Sequence, residues 1–141
     1  IFRTPLISFI FRHTRAIPIA PAKEDAAMME AAFAEVSLAL REGELVGIFP
    51  EGRITDTGEI YPFRPGATRI LERDPVPVIP LALRGLWGSF FSRKDGPAMS
   101  KPFRRGLFPR IAVAGAPPVA PADATPEKLR EIVARLRGDW K

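Results

Sequence analysis

Glu51, Gly52 and Arg53 stand side by side after an apolar run, Leu45–Phe49, and a proline. Thr55 follows, and Arg64 lies further along. A guanidinium matches phosphate oxygens with two parallel hydrogen bonds, so Arg53 suits an anionic ligand. A carboxylate repels phosphate. Glu51 would instead orient Arg53 or a base, or meet a hydroxyl. Gly52 lets the backbone approach closely or take a positive φ. Thr55 can donate one hydrogen bond. Arg64 fits the same anionic target, or a solvated charge at a helix start. Read alone, Glu51 and Arg53 also fit an ion pair in an ordinary surface turn.

Other chemistries are excluded. The 141 residues hold no cysteine, which removes disulfides, thiolate catalysis and cysteine metal sites. The single histidine, His13, cannot build a His-rich metal centre, and no metal site is expected. His13 sits among Arg12, Thr14 and Arg15, which suits a solvated or interfacial role. No serine lies in a Gly-Xaa-Ser-Xaa-Gly elbow, and no nucleotide-type glycine loop is present. The formal charge of +5 points to an anionic partner, a membrane surface, a phosphorylated substrate or nucleic acid, or to solubility alone.

The elements that must position these residues follow from the pattern. The composition, 46% hydrophobic and 26% charged, supports one compact domain over 1–141. Sixteen prolines and eleven glycines predict short elements and stiff loops. A short helix is expected at 5–14 and a short strand at Ala16–Ala20. Residues 25–42 read as a helix, with Met29, Phe33, Val36 and Leu40 on one face, Asp25 as N-cap and Gly43 as stop. Leu45–Phe49 reads as a buried strand delivering the loop at 51–63. A helix from Pro65 to about Arg73, a buried strand at 76–83 and a last strand at 111–114 follow. Thr125 and Pro126 open a final helix that ends at Gly138. This alternation is α/β, a mixed sheet flanked by helices.

Phe49-Pro-Glu-Gly-Arg-Ile-Thr55 resembles the third motif of the glycerolipid acyltransferases of the lysophosphatidic-acid type, usually Phe-Pro-Glu-Gly-Thr-Arg-Ser. Phe63-Arg-Pro-Gly-Ala67 resembles the Phe-Lys-Xaa-Gly-Ala stretch that follows it. Val76-Pro-Val-Ile-Pro80 is similar to the fourth motif. Gly85–Arg93 looks like the bacterial subgroup that acylates 2-acylglycerophosphoethanolamine, where the domain is often joined to an acyl-carrier-protein synthetase or a transporter. The sequence departs from the pattern in three places. His13 has Pro18, not Asp, five positions on. The second-motif strand, Ala16–Pro21, carries no charge, so the arginine that the family places there is absent, or its role is taken by a neighbour such as Arg15. Arg53 directly follows Gly52, one place earlier than the usual arginine.

The resemblance implies transfer of a fatty acyl group from acyl carrier protein or coenzyme A thioester to a lysophospholipid, without a bound cofactor. It implies a glycerolipid acyltransferase fold that is incomplete at its N-terminus, this chain being the C-terminal portion. The catalytic His and Asp would stand upstream of Ile1, leaving Glu51, Gly52, Arg53, Thr55 and Arg64 as the substrate-binding residues, with Arg53 as the grip on the acceptor phosphate. The expected location is the cytoplasmic face of a bacterial inner membrane. Arg93, Lys94, Lys101, Arg104, Arg105 and Arg110, mixed with Phe90, Phe91, Phe103 and Phe108, suit an anionic bilayer, as does Leu6–Phe11. Trp87 and Trp140 would anchor there or pack inside. A non-catalytic lipid-binding module is the alternative, and a nucleic-acid partner is not expected.

Overall fold

The structure is a computed structural model that describes residues 15–19, 25–90, 92–94, 96–98 and 110–139. The helix expected at 5–14, His13, Phe91, the basic and aromatic residues at 101–108, and Trp140 lie outside the described residues. Contacts divide the chain into two compact units, Ile1–Val46 and Gly47–Lys141.

The first unit is built on helix α1, Ala26–Arg41. Alanine, methionine, glutamate and leucine dominate it, all strong helix formers. Asp25 sits just before it in extended conformation, and its carboxylate accepts from the Met28 amide at 2.8 Å, satisfying an orphan donor. The far end closes in a Schellman cap: the Gly43 amide donates to Leu40 O at 3.1 Å and the Glu44 amide to Ala39 O at 2.9 Å. Ala32, Val36 and Ser37 are buried, with Met29, Phe33 and Leu40 half-buried beside them. Residues 16–19 form no regular element, so no strand stands there.

The second unit contains α2 (Gly66–Arg73), β1 (Leu81–Arg84), β2 (Ala112–Gly115), a 3-10 turn (Pro121–Asp123) and α3 (Pro126–Arg137). β1 and β2 pair antiparallel, with Ala82 opposite Ala114 and Leu83 opposite Val113. An isolated bridge, Val78 to Val119, extends the pairing, and the Ala116 amide donates to Pro80 O at 3.0 Å. Thr125 caps α3 by accepting from the Lys128 amide, and Pro126 occupies a position whose missing N–H costs nothing. α3 packs on β1 and β2. Arg84 donates through Nε to Leu136 O at 2.6 Å, placing a cation at the negative end of α3.

The core of this unit is Leu71 from α2, Ala124, and Leu129 from α3, with Phe63, Val76, Val78 and Val119 packed around them. Burying Leu129 alone is worth about 1.5–3 kcal/mol.

Further expectations about the sheet need correction. Leu45–Phe49 is neither a strand nor buried: Leu45 is 95% and Phe49 79% exposed. A strand requires a hydrogen-bonded neighbour, and among the described residues none pairs with this run. The strand expected at 76–83 is Leu81–Arg84. Pro77 and Pro80 lack the N–H that a ladder needs, so regular pairing begins only beyond them. It is also covered on one face only. Ala82 is buried, whereas Leu81 is 56% and Leu83 43% exposed. The sheet among the described residues is two-stranded and antiparallel; with its helices it is compatible with an α/β fold, short of the mixed sheet expected.

Candidate anion-binding loop

Residues 51–65 form no helix or strand, yet they are tightly cross-linked. The turn begins where the Gly52 amide donates to Phe49 O at 3.0 Å, and it is closed from the far side by the Arg64 amide on Pro50 O at 2.8 Å. Gly52 has φ +66, a conformation that costs a residue with a Cβ. Arg64 lies across it. A Cβ on Gly52 would stand 2.9 Å from Arg64 Nε and 3.0 Å from its Cδ. Glycine thus permits both the turn and the crossing side chain.

Tyr61 organises the outer part of the loop. Its amide donates to Glu51 Oε2 at 2.7 Å. Its ring carries the Arg53 guanidinium, with Cζ 3.7 Å from the centroid. Its hydroxyl donates to Asp56 Oδ1. That hydrogen bond, aided by the charges of Arg53 and Arg93, holds the Asp56 carboxyl below the usual aspartate value.

Thr55 is occupied locally. Its Oγ1 accepts from the Gly58 amide at 3.1 Å and from the Thr57 amide at 3.3 Å, an ST-type turn that shapes the tip of the loop. The hydroxyl still has a proton to give, and Thr57 Oγ1 lies 3.4 Å away. The tip is seated on Trp87: at Gly58, φ +80, an added Cβ would fall 2.7 Å from the indole. Trp87 is half-buried in this packing role.

From the other side, α3 ties the loop down. Arg137 Nη1 donates to Gly58 O at 2.9 Å and Nη2 to Glu59 Oε2 at 3.1 Å. Arg130 Nη2 donates to Ile60 O at 3.1 Å. These arginines donate to two loop carbonyls, of which Gly58 O is part-buried.

Of the residues singled out by sequence, Glu51, Gly52, Arg53, Thr55 and Arg64 all fall in this loop. Arg53 and Arg64 are exposed, and both border Gly52, one by sequence and one by contact. Among the described residues no group accepts a hydrogen bond from the Arg53 guanidinium. The loop therefore presents two cations whose donors face solvent, beside a carboxylate already engaged by a backbone amide. It can receive a small anion, such as a phosphate monoester. Arg15 belongs to the other unit, where its exposed guanidinium pairs with Glu44. Arg93 and Lys94 are exposed, as is Arg110.

Sequence reasoning missed Tyr61, Arg130 and Arg137. An aromatic two positions before Phe63 is the one local cue to Tyr61; the arginines reach the loop from seventy or more positions away and leave no local signal.

Comparison with known proteins gives a consistent picture. Residues 1–84 match the family described as Acyltransferase, a span that contains the loop and β1. The chain is 30% identical over 93 residues to 1-acyl-sn-glycerol-3-phosphate acyltransferase alpha of Mus musculus, covering 65% of this chain and 30% of that protein. It is 46% identical over 46 residues to 1-acyl-sn-glycerol-3-phosphate acyltransferase of Bacillus subtilis (strain 168), covering 33% of this chain and 22% of that protein. The chain thus spans under a third of the length of the curated relatives it matches. No solved structure gives a significant match. The matched residues, with the Glu51-Gly52-Arg53 turn inside them, show that the chain belongs to the acyltransferase family.

Proposed function

We propose that this chain forms the acceptor-phosphate-binding part of an enzyme that moves a fatty acyl group from a thioester to a lysophospholipid or acylglycerol phosphate. The observation that carries this reading is the exposed Arg53, held over Tyr61 next to Gly52 and the Arg64 side chain. Both matched relatives are named for acylglycerol phosphate, a phosphate monoester with a free hydroxyl.

In such a transfer a base removes the hydroxyl proton, the oxygen attacks the thioester carbonyl, and the thiolate leaves through a tetrahedral oxyanion. Arg53 and Arg64 would hold the phosphate, fixing how far the reacting hydroxyl stands from the turn. Thr55 would add one donor, or shape the tip alone. Glu51 is engaged by the Tyr61 amide, which keeps its charge aside from the phosphate. The base would be a histidine oriented by an aspartate five positions on, encoded upstream of Ile1. The acyl donor would be acyl carrier protein or coenzyme A thioester, with no resident cofactor. The basic and aromatic composition of 86–110 suits work at the cytoplasmic face of an anionic bacterial membrane.

The test is acyl transfer by the full-length protein from each thioester to acylglycerol phosphate and to lysophosphatidylethanolamine. Transfer to either acceptor, with thiol release in equal amount, is expected. Binding to anionic vesicles without transfer would replace this reading with a lipid-binding module.

A further inference from the structure

We propose that Tyr61 is the positioning residue that aims Arg53 at the acceptor phosphate and keeps Glu51 from competing for it. The inference rests on the reading of the loop as a phosphate grip.

Three contacts converge on this one residue. The ring lies under the Arg53 guanidinium, 3.7 Å from Cζ. Stacking occupies the face of the guanidinium and leaves its in-plane N–H groups to donate, which is the arrangement that bidentate phosphate binding needs. The amide of the same residue holds Glu51 Oε2 at 2.7 Å. Glu51 stands two positions from Arg53, and an unheld carboxylate there would pair with the guanidinium. The hydroxyl donates to Asp56, which fixes the outer end of the ring.

The platform is itself anchored. The preceding carbonyl, Ile60 O, accepts from Arg130, and Gly58 O accepts from Arg137, both on α3. The backbone that carries the ring is therefore tied to the core-packed helix α3. An arginine on a free stem would lose rotamer entropy on meeting phosphate; one already stacked loses less.

The experiment uses the full-length enzyme and two acceptors, 1-acylglycerol 3-phosphate and the corresponding neutral acylglycerol. Tyr61→Leu removes the ring and keeps the amide. It should raise KM for the phosphate acceptor about two- to fivefold, the range of an exposed cation–π contact, with kcat and the neutral acceptor's KM unchanged. Tyr61→Trp, which keeps an aromatic face, should restore the phosphate acceptor's KM, and Tyr61→Phe should stay near the parent value. Adding Tyr61→Leu to Arg53→Ala should have no further effect, because the two residues act as one unit.

A Tyr61→Leu variant that weakens both acceptors equally, leaves both untouched, or adds its full effect on top of Arg53→Ala overturns the assignment. If Arg53→Ala raises the phosphate acceptor's KM and Tyr61→Leu does not, only the role of Tyr61 falls. If Arg53→Ala itself changes nothing, the phosphate grip falls and takes the role of Tyr61 with it.

Discussion

Arg64 lies across Gly52 so closely that a single added methyl group on the glycine would stand 2.9 Å from Arg64 Nε. The two residues are distant in sequence, but the hydrogen bond from the Arg64 amide to Pro50 O brings them together. An anion approaching the turn would meet the Gly52 backbone and the Arg64 side chain at once.

Gly52→Ala tests that relationship. The residue would carry a Cβ at φ +66, at a cost of about 1 kcal/mol, and would push Arg64 off the turn. Arg64 is exposed and its end can swing away, so the melting temperature should fall only by a few degrees while acceptor KM rises severalfold. Thermal melts and acceptor kinetics on the same preparation read both effects.

Gly58→Ala should behave differently. The obstacle there is the indole of Trp87, 2.7 Å from the added Cβ, and a rigid half-buried ring gives way less readily than the free end of an arginine. Backbone strain at φ +80 and overpacking together should cost about 2–3 kcal/mol. Denaturant unfolding should show the loss, and tryptophan emission should shift to the red as Trp87 is unseated.

Arg137→Met should loosen the loop without touching its cations. The Gly58 carbonyl would lose its partner at 2.9 Å, at a cost of about 1 kcal/mol. The pair with Glu59 adds little, since that carboxylate is 57% exposed. Amide exchange at residues 57–60 should quicken while that of α1 stays the same, and urea titration should give the size of the loss.

Asp56 supplies a pH dependence with a definite sign. Its folded pKa lies below the ordinary 3.8 because Tyr61 donates to it and Arg53 lies near. A carboxyl with a depressed folded pKa contributes stability above its unfolded value and loses that contribution as pH falls through the folded one. Acid should therefore loosen the Tyr61 end of the loop only below about pH 4. Tyr61→Phe should return the carboxyl toward 3.8, which NMR titration of the Asp56 side chain would record.

Much of this was legible in the sequence. α1 and α3 follow from helical spacing and from the caps Asp25 and Thr125, because caps and periodicity are local properties. The turn Glu51-Gly52-Arg53 stood out through its resemblance to a family motif, since its residue types alone also fit an ordinary surface turn. The strands were less so. An apolar run such as Leu45–Phe49 states a wish to be covered but does not name the partner. In the run from Val76 to Leu83, two prolines decide where pairing starts. Trp87 and Arg137 reach the loop from positions far along the chain that no local pattern records, although they fix its geometry.

The proposed function requires Arg53 to hold the acceptor's phosphate. Its most direct test is the KM for 1-acylglycerol 3-phosphate of full-length enzyme carrying Arg53→Ala, measured beside the neutral acylglycerol. A charge-assisted pair lost from the complex predicts a rise of about ten- to a hundredfold for the phosphate acceptor and none for the neutral one. An unchanged KM, or an equal loss for both acceptors, would contradict the account.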